Sequence, residues 1–240
     1  MAGEIALDLH VHTALSPCAT AQMTPPAVLL LAERQGLAII GIVDHGTAGN
    51  AAAFAEAAPA FRVRVLVGLE VETAEGVHVL ALFDTPEMAS SFESALQPHL
   101  PHRLNRPDLF GDQWLVDSLG NVVGEEERLL LTAVDLGLSE LTRMVTGSEG
   151  LAIPAHVDRE AYGLYSVLGF LPDDLEAEVL ELSPWMTPEQ ARARWPELAE
   201  KRLVRGSDAH CLDDLGRAVT RGPEGLREAP VRDWAGMLGR

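Results

Sequence analysis

A chain of 240 residues that is 47% hydrophobic can bury a full core, and its alternating apolar and helical segments exclude intrinsic disorder. Its formal net charge of −18 argues against duplex nucleic acid as a partner, since phosphate backbones are normally met by an excess of Lys and Arg. There is no N-terminal leader pattern and no apolar run near the ~20 residues of a membrane span, and Cys18 and Cys211 are the two cysteines, so the expectation is a cytoplasmic protein with no membrane contact.

Ile5–Leu9 reads as the first strand and carries the chain into Asp8-Leu-His-Val-His12. Residues two apart on a strand point the same way, so His10 and His12 converge. Thr24-Pro25-Pro26 opens a helix that runs through Arg34 and stops at Gly36. Leu37–Val43 is nearly continuous apolar sequence, as in a strand covered on both faces, and leads to Asp44-His45. An Ala-rich helix over 50–58 follows, then a strand over 62–71 ending near Glu70, and another over 77–83 that contains His78. A helix over 86–97 precedes an irregular insertion or loop at about 98–124. Helices are expected near 125–135 and 139–146, before Gly150-Leu-Ala-Ile-Pro-Ala-His156. The last units are a strand over 178–182, a helix from Pro188 to about Ala199, a strand over 203–206 ending at Ser207-Asp208-Ala209-His210, and a helix near 231–238.

The ends of these strands carry the chemistry. His10, His12, His45, Glu70, His156, Asp208 and His210 each fall at or just past a predicted strand's C-terminal end, where the strands of an α/β barrel gather their active site. With His78, six of the eight histidines sit in this set. Neutral imidazole is the commonest ligand for borderline divalent metals, so a shared metal site is the favoured reading. Asp8 and Asp44 precede ligand candidates and are expected to orient them. Glu72 and Glu75 read as surface or hairpin charges, His99 and His102 as solvated, and Cys211 as a packing residue.

His10-Val-His12, Asp44-His45, Gly68-Leu-Glu70, Pro154-Ala-His156 and Asp208-Ala-His210 resemble, in order and spacing, the motifs of the polymerase and histidinol phosphatase (PHP) family. More narrowly, His12-Thr-Ala-Leu-Ser-Pro-Cys18, Asn105–Gln113, Ile153–Arg159 and Leu168–Pro172 are similar to a bacterial subgroup described as metal-dependent phosphoesterases. The resemblance implies one domain over residues 1–240 with a distorted (β/α)7 TIM-like barrel fold. It implies two or three divalent ions, of zinc, manganese or iron. His10, His12, Glu70 and Asp208 would hold a metal pair, which His45, His78, His156 and His210 would complete or extend to a third ion. Asp208, His210 and Glu70 are the residues expected to be catalytic, with Glu70 bridging two ions.

Relatives often place Asp or His where this chain has Pro17 and Cys18. Cys18 is therefore either a thiolate ligand, which would favour zinc or iron, or a packing residue. Arg159 is the candidate for binding phosphate, because its fork grips two oxygens. Arg103 and Arg106 would belong to a lid, and Asn105 and Gln113 are neutral candidates for substrate contact. The expected activity is hydrolysis of a small phosphorylated substrate by a metal-activated hydroxide. The alternatives are an exonuclease or oligonucleotide phosphodiesterase, and a non-catalytic metal-binding module. The oligomeric state is left open.

Overall fold

The first strand runs further than its apolar residues alone require. In the structure, a computed structural model that describes residues 3–239, β1 covers Glu4–Val11 and leads directly into His12. The proline pair opens α1 (Pro25–Arg34), and Gly36, at a φ of +73° that glycine adopts freely, turns the chain into β2 (Leu37–His45). Next come α2 (Ala51–Ala57), β3 (Arg64–Glu72), β4 (His78–Phe83) and α3 (Pro86–Leu96), all close to the expected bounds. The 98–124 stretch is largely irregular, as read from its composition. It holds only α4 (Pro107–Phe110), β5 (Trp114–Val116) and the start of β6 (Val122–Glu125) among its strands and α-helices.

The helix expected over 125–135 does not form. Beyond β6 the chain is extended, and its main-chain groups are claimed by distant partners. The buried Gln113 amide donates to the carbonyls of Glu126 (2.8 Å) and Arg128 (2.7 Å) and accepts from Leu130 N–H (3.0 Å). Val134 N–H donates to the Glu72 carbonyl at 2.9 Å. These long-range bonds outweigh a local preference worth tenths of a kcal/mol per residue, by the usual scale of ~0.7 at most.

The remaining elements are α5 (Leu138–Gly147), β7 (Leu151–Pro154), α6 (Leu164–Val167), β8 (Val179–Leu182), α7 (Pro188–Arg194), β9 (Arg202–Arg205), β10 (Thr220–Pro223) and α8 (Trp234–Met237). The helix expected to reach Ala199 stops earlier. Trp195 precedes Pro196 and takes φ −130°, ψ +88°, since a proline disfavours helical geometry in the residue before it. The last expected helix divides into a 3-10 turn and α8. β10 had no apolar run to announce it; it is an edge strand antiparallel to β1.

A six-stranded sheet has the order β10-β1-β2-β3-β4-β7, and β8 pairs with β9 separately. In the six-stranded sheet β1, β2 and β3 run parallel as consecutive neighbours, as β8 and β9 do in theirs, while β4 is antiparallel to both β3 and β7. The fold is thus mixed α/β around a curled, half-barrel sheet, and the expected seven-fold barrel does not appear as one continuous ladder. Hydrogen bonds at two seams join the sheets: Val157 N–H to the Glu181 carbonyl (2.8 Å), and His12 N–H to the Ala209 carbonyl (3.0 Å), with Ala209 N–H returning to His10. One core is shared between them. Leu7, Leu9, Ile39, Leu66, Leu80 and Ile153 pack with Val179 and Val204, and Trp234 joins them from the C-terminal segment. That segment sits at the start of the parallel strands, where Arg64 donates to the carbonyls of Leu226 and Ala229. The opposite end is left for the ligands.

β3 and β4 approach closely at Gly68, where an added Cβ would collide with the Ala81 carbonyl. Gly68→Ala is expected to destabilise the fold by about 1–3 kcal/mol, the usual cost of overpacking. Denaturant titration measures this, and an unchanged midpoint would contradict the tight ladder.

Candidate metal centre

β1 presents His10 and His12 on one side, both fully buried. His10 Nδ1 lies 2.8 Å from Glu181 Oε2. An ionised carboxylate only accepts, so this nitrogen carries the proton and Nε2 faces inward with its lone pair. His12 is fixed in the same sense. The Ser16 hydroxyl donates to Asp44 Oδ1 (2.7 Å), so His12 Nδ1, 2.9 Å from Ser16 Oγ, is the donor in that contact. The two inward nitrogens stand 3.2 Å apart.

Glu70 is the hub. Its Oε1 lies 2.7 Å from His78 Nδ1, 3.2 Å from His156 Nε2 and 3.4 Å from His10 Nε2. Its Oε2 lies 3.0 Å from His45 Nδ1 and 3.4 Å from His12 Nε2. Strand register explains part of this, since His45 stands directly beside Glu70 across β2 and β3. From the other sheet, Asp208 Oδ1 reaches His10 (3.2 Å), His12 (3.3 Å) and His210 (3.5 Å). Three donor groups meet the spacing for an ion: His10, His12 and Asp208; His12, His45 and His210; and His45, Glu70 and His78. Inward lone pairs and carboxylate oxygens packed this closely need positive charge among them, from protons or metal ions. The residues fit divalent ions, with nitrogen and oxygen donors suited to zinc, manganese or iron.

The electrostatics express the same need. Burial by itself would raise the Glu70 carboxyl, but the charges of His78 and His10 and the hydrogen bonds from His10 and His12 hold it well below the usual range. Burial opposes charging His10, yet Glu181, Asp208 and Glu70 raise it well above an ordinary imidazole. His12 rises to about 9, against its burial, through hydrogen bonds to Asp208 and Glu70. His210 falls to about 3 through burial and then the charge of His12. Without metal, protons on some imidazoles thus do the neutralising.

All eight expected imidazole and carboxylate ligands come together, and Arg159 joins them at the pocket wall, bonded through Nη1 to Asp208 Oδ2. Cys18 also lines this pocket of about 320 Å³, but it is exposed and belongs to none of the three donor groups. Its thiol is pushed up to about 12 by desolvation at the pocket mouth and by the charges of Glu70, Asp208 and Asp44. Asp44, expected to orient His45, is instead linked to His12 through Ser16. Asp8 instead braces the loop beyond β9, accepting from Ser207 N–H and Gly216 N–H at 2.9 Å each.

Asn105 and Gln113 are corrected from substrate contacts to scaffold: Asn105 donates to the Gly111 carbonyl, and Gln113 holds the segment past β6. That segment forms the wall where Arg103 and Arg106 were expected, through Leu130, Leu131 and Thr132. Glu72, expected at the surface, lines the pocket as well.

Glu181 was missed by sequence reasoning. Its only signal was a lone acid inside the apolar run Val179-Leu-Glu-Leu182. Tyr162 was missed too; it stacks on His78 with centroids 4.2 Å apart. His156, Tyr162 and Asp208 hold φ of +30°, +59° and +51°, rare for residues with side chains. Such strain typically costs ~1–3 kcal/mol per residue and gathers at functional sites.

Comparison with known proteins agrees with this geometry. The PHP domain model matches residues 8–178, and no curated protein matches the sequence. Endonuclease Q from Pyrococcus furiosus, described as lesion-specific, superposes with a TM-score of 0.70 at 20% identity, over 95% of this chain and 56% of that one. An endonuclease Q complex with a 27-mer duplex substrate bearing an abasic lesion at the active site gives 0.66 at 19%, with the same coverage. A Bifidobacterium adolescentis protein inferred to be a metal-dependent phosphoesterase gives 0.59 at 19%, over 85% of this chain and 87% of that one. At these identities the likeness is one of fold, and this chain spans little more than half of endonuclease Q.

The chain belongs to the PHP domain family. The endonuclease Q complex overturns the expectation that duplex nucleic acid is excluded as a partner. Net charge describes the whole surface, whereas a phosphate is met locally, so an acidic total does not exclude one.

Because His12 carries a proton below about 9 where an ion would sit, metal uptake should release protons and strengthen as pH rises toward that value. Titration calorimetry with zinc in buffers of differing ionisation enthalpy reads the proton count, and heats independent of buffer would refute the assignment.

Proposed function

We propose that this member of the PHP domain family hydrolyses a nucleotide-sized phosphoester with two or three divalent ions held by His10, His12, His45, Glu70, His78, His156, Asp208 and His210. The observation that carries it is the convergence of these donors, with His45, Glu70, His78, His156, Asp208 and His210 lining one open pocket whose wall holds an arginine and His10 and His12 buried against Glu70 and Asp208. Zinc, manganese or iron bound there would neutralise the phosphoryl oxygens, lower the pKa of water toward ~7 and clamp the attacking and leaving oxygens. Glu70 offers one oxygen to each half of the histidine ring and is suited to span two ions. Asp208 ties the second sheet to the first through His10 and His12, while His210 approaches from the rim.

Arg159 supplies what the donor cluster lacks. Its side chain is 40% exposed and rests on Asp208. Turning from that carboxylate, the guanidinium meets a phosphoryl oxygen without crossing the pocket. Leu130, Leu131 and Tyr162 form the less polar side, against which the remainder of the substrate would lie. Cys18 is offered here as a rim residue, not a ligand. Its free thiol, with that of Cys211, supports a reducing cytoplasmic setting.

A second reading, cleavage of a phosphodiester within or at the end of a nucleic acid strand, is favoured by the endonuclease Q fold likeness over 95% of this chain. Protein loaded with manganese or zinc should turn over p-nitrophenyl phosphate or its bis ester, and chelation should abolish this. A labelled duplex with an abasic site, assayed alongside, separates the two readings. No turnover of any of the three by metal-replete protein would sink both.

Loss of one charge-assisted hydrogen bond is worth about 1.5–3 kcal/mol. Arg159→Ala is therefore expected to lower kcat/KM by about 10- to 100-fold with metal content unchanged. Equal kinetics in the variant would remove Arg159 from the site.

A further inference from the structure

The donors come from two sheets, and one side chain grips both. Glu181 lies on β8 and is 1% exposed. Its Oε2 accepts from His10 Nδ1 at 2.8 Å and from the backbone N–H of His156 at 3.2 Å. Its own backbone carbonyl accepts from Val157 N–H, also at 2.8 Å. One residue of the two-stranded sheet thus reaches across to β1 and fastens the turn after β7.

The second carboxylate oxygen is informative. Oε1 is buried without a hydrogen-bond partner, against Gly206. A Cβ at 206 would collide with that oxygen and come within 2.8 Å of the His10 Cβ. Leaving a carboxylate oxygen bare in the interior costs stability, so the residue is poorly explained as a purely structural tie. A neutral side chain making the same two bonds would avoid much of that cost.

We propose that Glu181 is a positioning residue for the metal centre. It holds His10 with Nδ1 protonated and Nε2 aimed at Asp208 and Glu70. Because the same carboxylate binds His156, closure of the two-stranded sheet on the larger one and completion of the donor set become a single event. The proposal rests on the metal-dependent reading of the site, but zinc affinity is measured in place of turnover, so failure of either substrate reading leaves its outcome intact.

Partners that orient a ligating histidine are worth about 10- to 100-fold in metal affinity. Glu181→Gln is expected to bind zinc more weakly by that factor in competition with a chromophoric chelator, while its metal-free thermal midpoint does not fall below the wild-type value. Gly206→Ala, which displaces the carboxylate without removing its charge, should weaken zinc in the same direction. Wild-type zinc affinity in a folded Glu181→Gln or Gly206→Ala protein would overturn the proposal, whatever happens to the thermal midpoint. In the wild-type zinc form, imidazole nitrogen shifts should show His10 protonated at Nδ1. A His10 protonated at Nε2 would overturn it even if neither variant folds.

Discussion

Everything in this molecule is arranged around a carboxylate that cannot stand alone. Glu70 is 2% exposed and sits on β3, the last parallel strand of a sheet whose other inward residues are largely apolar. An isolated buried carboxylate would be too costly in such a place, and would take up a proton instead. Five imidazoles within 3.4 Å of its oxygens answer that cost. They must be neutral to bind metal, whereas without it His10 and His12 are held toward their charged forms by the carboxylates around them. The site is therefore balanced between protons and metal ions.

The half-barrel serves that balance by bringing strand ends together from both parallel and antiparallel neighbours. β1, β2 and β3 deliver their C-terminal ends to one rim, as parallel strands must. β4 runs the other way and contributes His78 from its first position instead of its last. A sheet of mixed direction thus presents the same ring of ligands that an all-parallel barrel would. What matters chemically is which rim a residue reaches, not the direction in which its strand runs.

That distinction also explains how much could be read in advance. The ligands were legible because imidazoles and acids at the ends of apolar runs are conspicuous against a background that would otherwise bury only hydrocarbon. Strands such as β2, continuous in apolar residues, declared themselves for the same reason. β10 did not, because Thr-Arg-Gly-Pro is held by its neighbour's free edge and not by any pattern of its own. The segment beyond β6 looked helical by composition, yet its conformation is dictated by the Gln113 amide, whose influence no local window contains. Glu181 sat inside a strand already identified, but its contact with His10 spans 171 positions. Topology alone brings those two together. The charge argument failed differently: a total over the whole surface was made to answer a question about one local patch.

The seam between the two sheets has a consequence for how the chain comes to be assembled. His10, His12, His45, Glu70 and His78 lie in the first third of the sequence and emerge early from a ribosome. Asp208 and His210, and Glu181 on β8 that braces His10, come far later in the sequence. Contacts of such long sequence separation form slowly, since loop-closure entropy precedes any reward. An N-terminal fragment would therefore hold a clustered set of imidazoles around Glu70 with nothing to complete it. The donor set is completed only once Asp208 and His210 have closed over it, so the site cannot be whole before the longest-range contacts of the fold have formed.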